Sequence, residues 1–302
     1  MKIVISGGSG FLGGPLVARL QSRGEIVVLT RNPKKVERGR GVEWHPPEPG
    51  PWTREVANAD VVINLAGENV GAGRWTAERK GRLEKSRLDA TRALVTAMRE
   101  NVEMKLTFIS ASAVGFYGNR GDQQLDESAG RGDGFLADLT AKWEGAAREA
   151  DSFARVVLMR IGVVLERDGG ALAKMLLPFR LGVGGRIGSG EQWMSWISRE
   201  DVIRFIEWAI DHEDVRGVYN ATSPEPVRNR DFAQALGRAL HRPAMFPVPG
   251  FVLRLLFGEM ADETILGGQR AMPARATAQG FTFAHPRIDE SLEHIVKNKA
   301  TG

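Results

Sequence analysis

Three glycines in the stretch ISGGSGFLGG, spaced Gly7-x-x-Gly10-x-x-Gly13, have the types and positions to present bare backbone to a diphosphate. In such a turn Gly7 permits the sharp reversal and Gly10 lets amides approach the pyrophosphate with no side chain between. Gly13 lets the following helix pack close against a sheet. Ser9, Phe11 and Leu12 fill the intervening positions and would touch the same ligand. The helix that follows adds unpaired N–H groups and a partial positive charge at its start. A second set is Thr30-Arg31, with Lys34 and Lys35 close behind. An NAD-binding chain usually places Asp or Glu at this point to accept from the ribose hydroxyls. A guanidinium instead grips a 2′-phosphate through two charge-assisted bonds, so the cofactor reading is NADP(H) over NAD(H). A third set, Leu65, Ala66 and Gly67 of NLAG, closes a later apolar run and would line the groove across the strand ends.

These sets need elements to hold them. KIVIS (2–6) reads as a strand, PLVARLQSRG (15–24) as a helix closed by Gly24, and EIVVLTR (25–31) as the next strand. That strand–turn–helix–strand unit is the context a glycine motif requires. Further apolar runs at 59–67, 105–112, 155–165 and 217–222 alternate with helical patterns at 76–101, 135–150, 198–212 and 229–240. The helix over 135–150 takes Asp133 or the preceding loop as its cap. The alternation predicts an α/β protein with a Rossmann-type doubly wound parallel sheet. Residues 166–195 turn glycine-rich and the chain beyond Pro224 turns to prolines and short helices. The expected organisation is a dinucleotide-binding domain over 1–165 plus 196–222, and a smaller C-terminal substrate lobe over 166–195 plus 223–302.

Bulk composition narrows the function classes. The 302 residues carry a net charge of +4, with positives and negatives interleaved in stretches such as RWTAERKGRLEKSRLDATR. That pattern is a solvated helix face rather than a nucleic-acid surface. No apolar run is long enough to span a membrane, and the absence of cysteine excludes disulfide and thiolate chemistry, which fits a cytoplasmic setting. The five histidines (45, 212, 241, 285 and 294) show no metal-ligand spacing, and no Ser-His-Asp order is present, so neither a metal nor a hydrolytic triad is expected. Glycine-rich backbone around Gln192, Trp193 and Trp196 suits a small substrate bound by stacking and hydrogen bonds.

The glycine loop, INLAG, SASAVGFYG (110–118) and Lys142 together resemble the extended short-chain dehydrogenase/reductase superfamily. VVINLAGENV, AVGFYG, TAKWEGAA, LPFRLGVGG, IGSGEQWMSWI and FPVPGFVLRLLFGEMA are similar to its nucleoside-diphosphate-sugar epimerase-like subgroup, which has a C-terminal extra region. The likeness runs nearly end to end. It implies a Rossmann domain with NADP(H), and catalysis by a Ser or Thr, a Tyr, and a Lys four residues after that Tyr. Ser112 matches the serine and Lys142 the lysine, but the tyrosine position holds Asp138. With an ordinary pKa of about 3.9, an aspartate is ionised at neutral pH and cannot donate a proton as a phenol does. Tyr117 is the other candidate hydroxyl. The resemblance also sets Arg87 near the nicotinamide ribose or a phosphate, and Gly162 and Val163 at the nicotinamide end. It shows a His where this chain has Ser198.

Two readings follow. One is an NADP(H)-dependent oxidoreductase or epimerase-like enzyme acting on a carbonyl or hydroxyl of a small substrate such as a nucleotide sugar. The other is an NADP(H)-binding sensor or partner-binding module without turnover. Members of the superfamily dimerise through the two long helices, so a monomer or a homodimer is expected.

Overall fold

A computed structural model describes residues 1–101 and 105–297. Its thirteen strands are β1 (Lys2–Ser6), β2 (Glu25–Thr30), β3 (Arg40–Glu43), β4 (Val61–Asn64), β5 (Thr107–Ala113), β6 (Gln124–Leu125) and β7 (Arg155–Ile161), then β8 (Val163–Glu166), β9 (Trp193–Met194), β10 (Trp196–Ser198), β11 (Gly217–Ala221), β12 (Val227–Arg228) and β13 (Arg270–Ala271). Helices α1 (Gly13–Leu20), α2 (Pro51–Ala57), α3 (Ala77–Met98), α4 (Phe135–Arg148) and α5 (Gly170–Arg180) lie between them. They are followed by α6 (Arg199–Asp211), α7 (Asn229–Leu240), α8 (Gly250–Phe257), α9 (Glu259–Ala261), α10 (Ala274–Ala278) and α11 (Ile288–Lys297).

Seven parallel strands form the central sheet in the order β11-β7-β5-β4-β1-β2-β3. The chain winds outward from β1 to β2 and β3, then returns to lay β4 on the other side of β1. The β1–β4 boundary is therefore the switch point where doubly wound sheets leave a crevice at their carboxyl ends. Apart from the edge strand β3, the strands are buried on both faces, as their continuous apolar runs require. Alternate side chains divide between two cores. Val4, Val27, Leu29 and Val62 join α2, α3 and α4 on one face. Ile3, Ile5, Val28 and Ile63 join α1 and α6 on the other. A third core gathers α5, α7 and α11 around Trp196, Phe232 and Leu292.

Several elements differ from the sequence reading: α2 is an unpredicted helix, and the run 155–165 divides into β7 of the central sheet and β8, which pairs with β10. The glycine-rich stretch after residue 166 contains a full helix, α5, whose Leu172, Leu176 and Phe179 bury themselves in the third core. Packing of that apolar face outweighs the helix-breaking tendency of Pro178. The short edge strand β3 also lies outside the predicted runs, since Arg40–Glu43 carries only one buried residue, Val42.

Candidate functional site

The glycine turn sits at the switch point, between the ends of β1 and β4. Gly7 has φ +74°, and a Cβ there would stand 2.8 Å from the Leu65 carbonyl oxygen, so the loop after β1 leans on the loop after β4. Gly13 opens α1; a Cβ on it would lie 2.2 Å from the Gly7 carbonyl oxygen. The turn closes on itself through Gly10 N–H donating to Gly7 O at 2.9 Å and Gly14 N–H donating to Gly10 O at 3.0 Å. The amides of Ser9 and Phe11 bond to no group among the described residues, and no side chain caps α1. Phe11 packs against Gly169 and Gly170, beneath the Arg199 guanidinium 5.2 Å from its ring centre. Leu12 is partly buried against the α1–α6 core.

Arg31 extends from the end of β2, exposed and without an ion pair or hydrogen bond among the described residues. Thr30 is turned inward to its own backbone, its hydroxyl accepting from Asn32 N–H at 3.2 Å. Across the crevice the β4 loop is built from Asn64, which accepts from Ser6 Oγ at 2.8 Å and from Ala66 N–H at 3.2 Å. Its amide nitrogen donates to Thr91 Oγ1 at 2.9 Å. Leu65 and Ala66 are thereby held half-buried beside the glycine turn, with Gly67 exposed. Arg87 stands behind this loop. It donates to the carbonyls of Leu83 at 3.1 Å and Glu68 at 3.0 Å, and stacks on Trp143. Burial, opposed by Glu68, lowers its pKa to about 10, so it stays charged at neutral pH as a brace for residues 67 and 68.

Ser112 ends β5 fully inside the protein. Its hydroxyl donates to Glu144 Oε1 at 2.6 Å. Glu144, on α4, is gripped at both oxygens by Arg160 of β7, at 2.7 and 2.8 Å. Arg160 stacks 3.4 Å from the centre of the Phe116 ring and donates to Tyr117 Oη at 3.0 Å. Tyr117 in turn donates to Asn220 Oδ1 at 2.7 Å. Burial works against the charge on Arg160, and the hydrogen bond and attraction of Glu144 more than restore it. Burial likewise pushes the Tyr117 phenol above its ordinary pKa. The result is a saturated chain of polar groups, Ser112–Glu144–Arg160–Tyr117–Asn220, inside the sheet–helix layer.

This geometry corrects the catalytic assignments carried over by resemblance. Asp138 and Lys142 are half-exposed: Asp138 pairs with Arg131, and Lys142 with Glu84 of α3 at 2.9 Å. The face of α4 that meets β5 is the stripe Leu136–Thr140–Glu144, at i, i+4 and i+8. Leu136 packs on Gly115 and Thr140 is buried, its hydroxyl donating to Leu136 O at 2.6 Å. The α4 residue that meets Ser112 is thus Glu144, and the residues four and eight positions before it are a threonine and a leucine, neither of which can serve as the phenol or the ammonium. Tyr117 is no acid–base group either, since it is fully buried and bonded on both sides. Trp196 belongs to the third core, with no exposed surface and its N–H donating to Glu225 O at 2.9 Å, so it cannot stack on a ligand. Ser198, where the resemblance has His, caps α6 by accepting from Asp201 N–H at 3.0 Å.

Glu144, Arg160 and Glu263 are the site residues that the sequence reading passed over. The signals were present: a lone arginine inside the apolar run RVVLMRIGVVL must be paired, and a glutamate on the inward stripe of α4 is its partner. Glu263 had no local signal. It lies 128 residues beyond Phe135, yet its carboxylate accepts from Phe135 N–H and Leu136 N–H, both at 2.8 Å. The α4 cap is therefore this remote carboxylate and not Asp133. Removing it in Glu263→Ala leaves two N–H groups at a helix start without partners, with an expected loss of about 1–2 kcal/mol. Urea denaturation of the two proteins measures that loss, with Glu263→Gln falling between them.

The remaining predicted contacts are stitched together nearby. Val163 N–H donates to Ser195 O at 2.7 Å, and Gly162 approaches the same carbonyl. Gln192 donates to the carbonyls of Ile187 and Ile265 at 3.1 and 3.0 Å. Trp193 donates to Asp122 at 2.7 Å, with the guanidiniums of Arg228 and Arg270 at 4.7 and 4.4 Å from its ring centre. Arg270 Nε is buried without a hydrogen-bond partner among the described residues.

Comparison with known proteins agrees with this architecture. Residues 3–222 match the model of the NAD dependent epimerase/dehydratase family, and residues 248–295 match a domain of unknown function, DUF1731. The epimerase family protein ML0860 of Mycobacterium leprae is 42% identical over 296 residues, covering 97% of this chain and 94% of that protein. An Arabidopsis thaliana relative, the chloroplastic homolog of epimerase family protein SDR39U1, is 38% identical, with 98% and 87% covered. The crystal structure of human epimerase family protein SDR39U1 (isoform 2), solved with NADPH, has a TM-score of 0.89 at 34% identity, covering 99% of this chain and 100% of that one. No helix among the described residues is long and apolar enough to cross a membrane. By the match over its first 222 residues and by these relatives, the chain belongs to the NAD dependent epimerase/dehydratase family.

Proposed function

We propose that this chain binds NADP(H) in the crevice between β1 and β4 and acts on a carbonyl or hydroxyl of a small anionic substrate, such as a nucleotide sugar. The observation that carries the cofactor choice is Arg31, exposed just beyond the end of β2 and without an ion pair or hydrogen bond among the described residues. The human relative's structure with NADPH supports the same choice. The glycine turn supplies the diphosphate site through Gly7, Ser9, Gly10, Phe11, Leu12 and Gly13. Leu65, Ala66 and Gly67 line the groove beside it and Gly162 and Val163 the nicotinamide end, and Arg270 beside Trp193 suits a negatively charged substrate. When bound, the cofactor supplies hydride exchange at the nicotinamide ring. Ser112, near the end of β5, is buried with its hydroxyl donated to Glu144 at 2.6 Å, so its part in this reading is to hold the buried polar chain in place rather than to touch the substrate. The proton exchanged in the reaction then comes from water or from the substrate itself.

Calorimetry with NADPH and NADH tests the cofactor reading. Arg31→Gln is expected to weaken NADPH about 10- to 100-fold, a loss of about 1.4–2.7 kcal/mol, and to leave NADH unchanged. Equal binding of NADPH before and after the change would overturn it. NADPH oxidation over a panel of nucleotide sugars and simple carbonyls then tests turnover. The commitment of Ser112 to Glu144 favours a second reading, binding without turnover, and a silent panel with NADPH bound would select it.

A further inference from the structure

Where α6 begins, one residue beyond the Arg199 that stacks over Phe11, three side chains with metal-binding atoms come together. Glu200 stands in the first turn of α6, His285 in the turn before α11, and His294 on α11. One ligand atom from each lies within 4.8 Å of the other two. His285 Nε2 is 3.0 Å from Glu200 Oε2, and the two imidazole rings are 4.5 Å apart, inclined at 42°. Linear spacing concealed this, because His285 and His294 are brought together by a turn and a helix rather than by one helical repeat.

We propose that Glu200, His285 and His294 form a surface site for a divalent transition metal of the zinc class. Two imidazole nitrogens and one carboxylate oxygen are a borderline donor set that suits Zn²⁺ and its neighbours, whereas Mg²⁺ and Ca²⁺ take oxygen almost exclusively. Three protein ligands leave a fourth tetrahedral position for water. Bonds of about 2.0–2.2 Å require the three atoms to draw in to a little over 3 Å from one another. The exposed side chains of Glu200 and His294 can make that movement by rotation.

The scaffold is already fixed around them. The buried Asp201 carboxylate accepts from Ala284 N–H at 2.7 Å and His285 N–H at 3.0 Å, which bolts the His285 backbone to the start of α6. The carboxylate is itself held by Ser198 Oγ at 2.9 Å. On α11, Ile288, Ser291, Leu292 and Ile295 are buried, which sets the direction of His294. Ordering two of three ligands in advance lowers the entropy cost of binding. The metal would replace the Glu200–His285 hydrogen bond and pin the last described helix to the cofactor-binding half of the chain.

Titration of tag-free protein with zinc chloride, followed by calorimetry, tests the site independently of NADP(H) binding. The expected result is one ion per chain, uptake weakened at least tenfold in His294→Ala and in Glu200→Gln, and no competition from magnesium. Cobalt(II) in place of zinc should give the visible absorption of a four-coordinate ion, absent from both variants. A control carrying His45→Ala and His241→Ala should bind as the unaltered protein does. No saturable uptake, or uptake undiminished in His294→Ala, would overturn the proposal.

Discussion

Gly13→Ala is expected to abolish measurable NADPH binding, a loss of at least ~100-fold or about 2.7 kcal/mol. The added methyl would stand 2.2 Å from the Gly7 carbonyl oxygen and 2.5 Å from Gly8 Cα, both backbone atoms with no rotamer to turn aside. Relief comes only by moving the start of α1 away from the turn, and that separates the amides that must converge on one diphosphate. Gly14 is the internal comparison. A methyl there meets nothing within 4 Å, so Gly14→Ala should bind NADPH unchanged and gain up to ~1 kcal/mol from helix propensity. Calorimetry on the two neighbouring variants separates loop geometry from any general effect of removing glycine. Similar affinities for both would refute the assignment of this turn to the cofactor.

The second large effect concerns Glu144. Replacing it by alanine strands the buried Arg160 charge and releases the Ser112 hydroxyl, and a loss of about 3–5 kcal/mol in unfolding free energy is expected. Chemical denaturation followed by far-UV circular dichroism measures it. Combining Arg160→Met with Glu144→Leu removes both charges and should recover most of the stability, because an apolar pair of similar volume tolerates this environment. A deficit in the double variant as large as in Glu144→Ala would show that the cost lies elsewhere than in the ion pair.

The glycine turn was legible because everything it needs is local: a strand, three glycines and a helix within the first 20 residues. The position of Arg31 is legible for the same reason, as the residue immediately after the six-residue strand β2. Helix α4 is legible as a helix, but the resemblance sets its inward face two positions off. On a helix two positions turn the side chain about 200° around the axis, enough to exchange the stripe Leu136–Thr140–Glu144 for the solvent-facing pair Asp138 and Lys142. Trp196 was misread because a tryptophan in a glycine-rich loop looks like a stacking platform until the core it fills is known. Tyr117 needed Arg160 and Asn220, 43 and 103 residues away, before its role as a buried link was visible.

Glu263 carries a consequence for the order in which the site is completed. A ribosome releases Phe135 and Leu136 long before residue 263 exists, so the nascent α4 begins life with an open amino end. Its final seating waits for the last stretch of the chain to emerge and fold back across the sheet edge. The stretch that holds Glu263 is accordingly a late contributor to the seating of α4, and a product interrupted before that point would carry every residue of the dinucleotide turn while lacking the carboxylate that caps this helix.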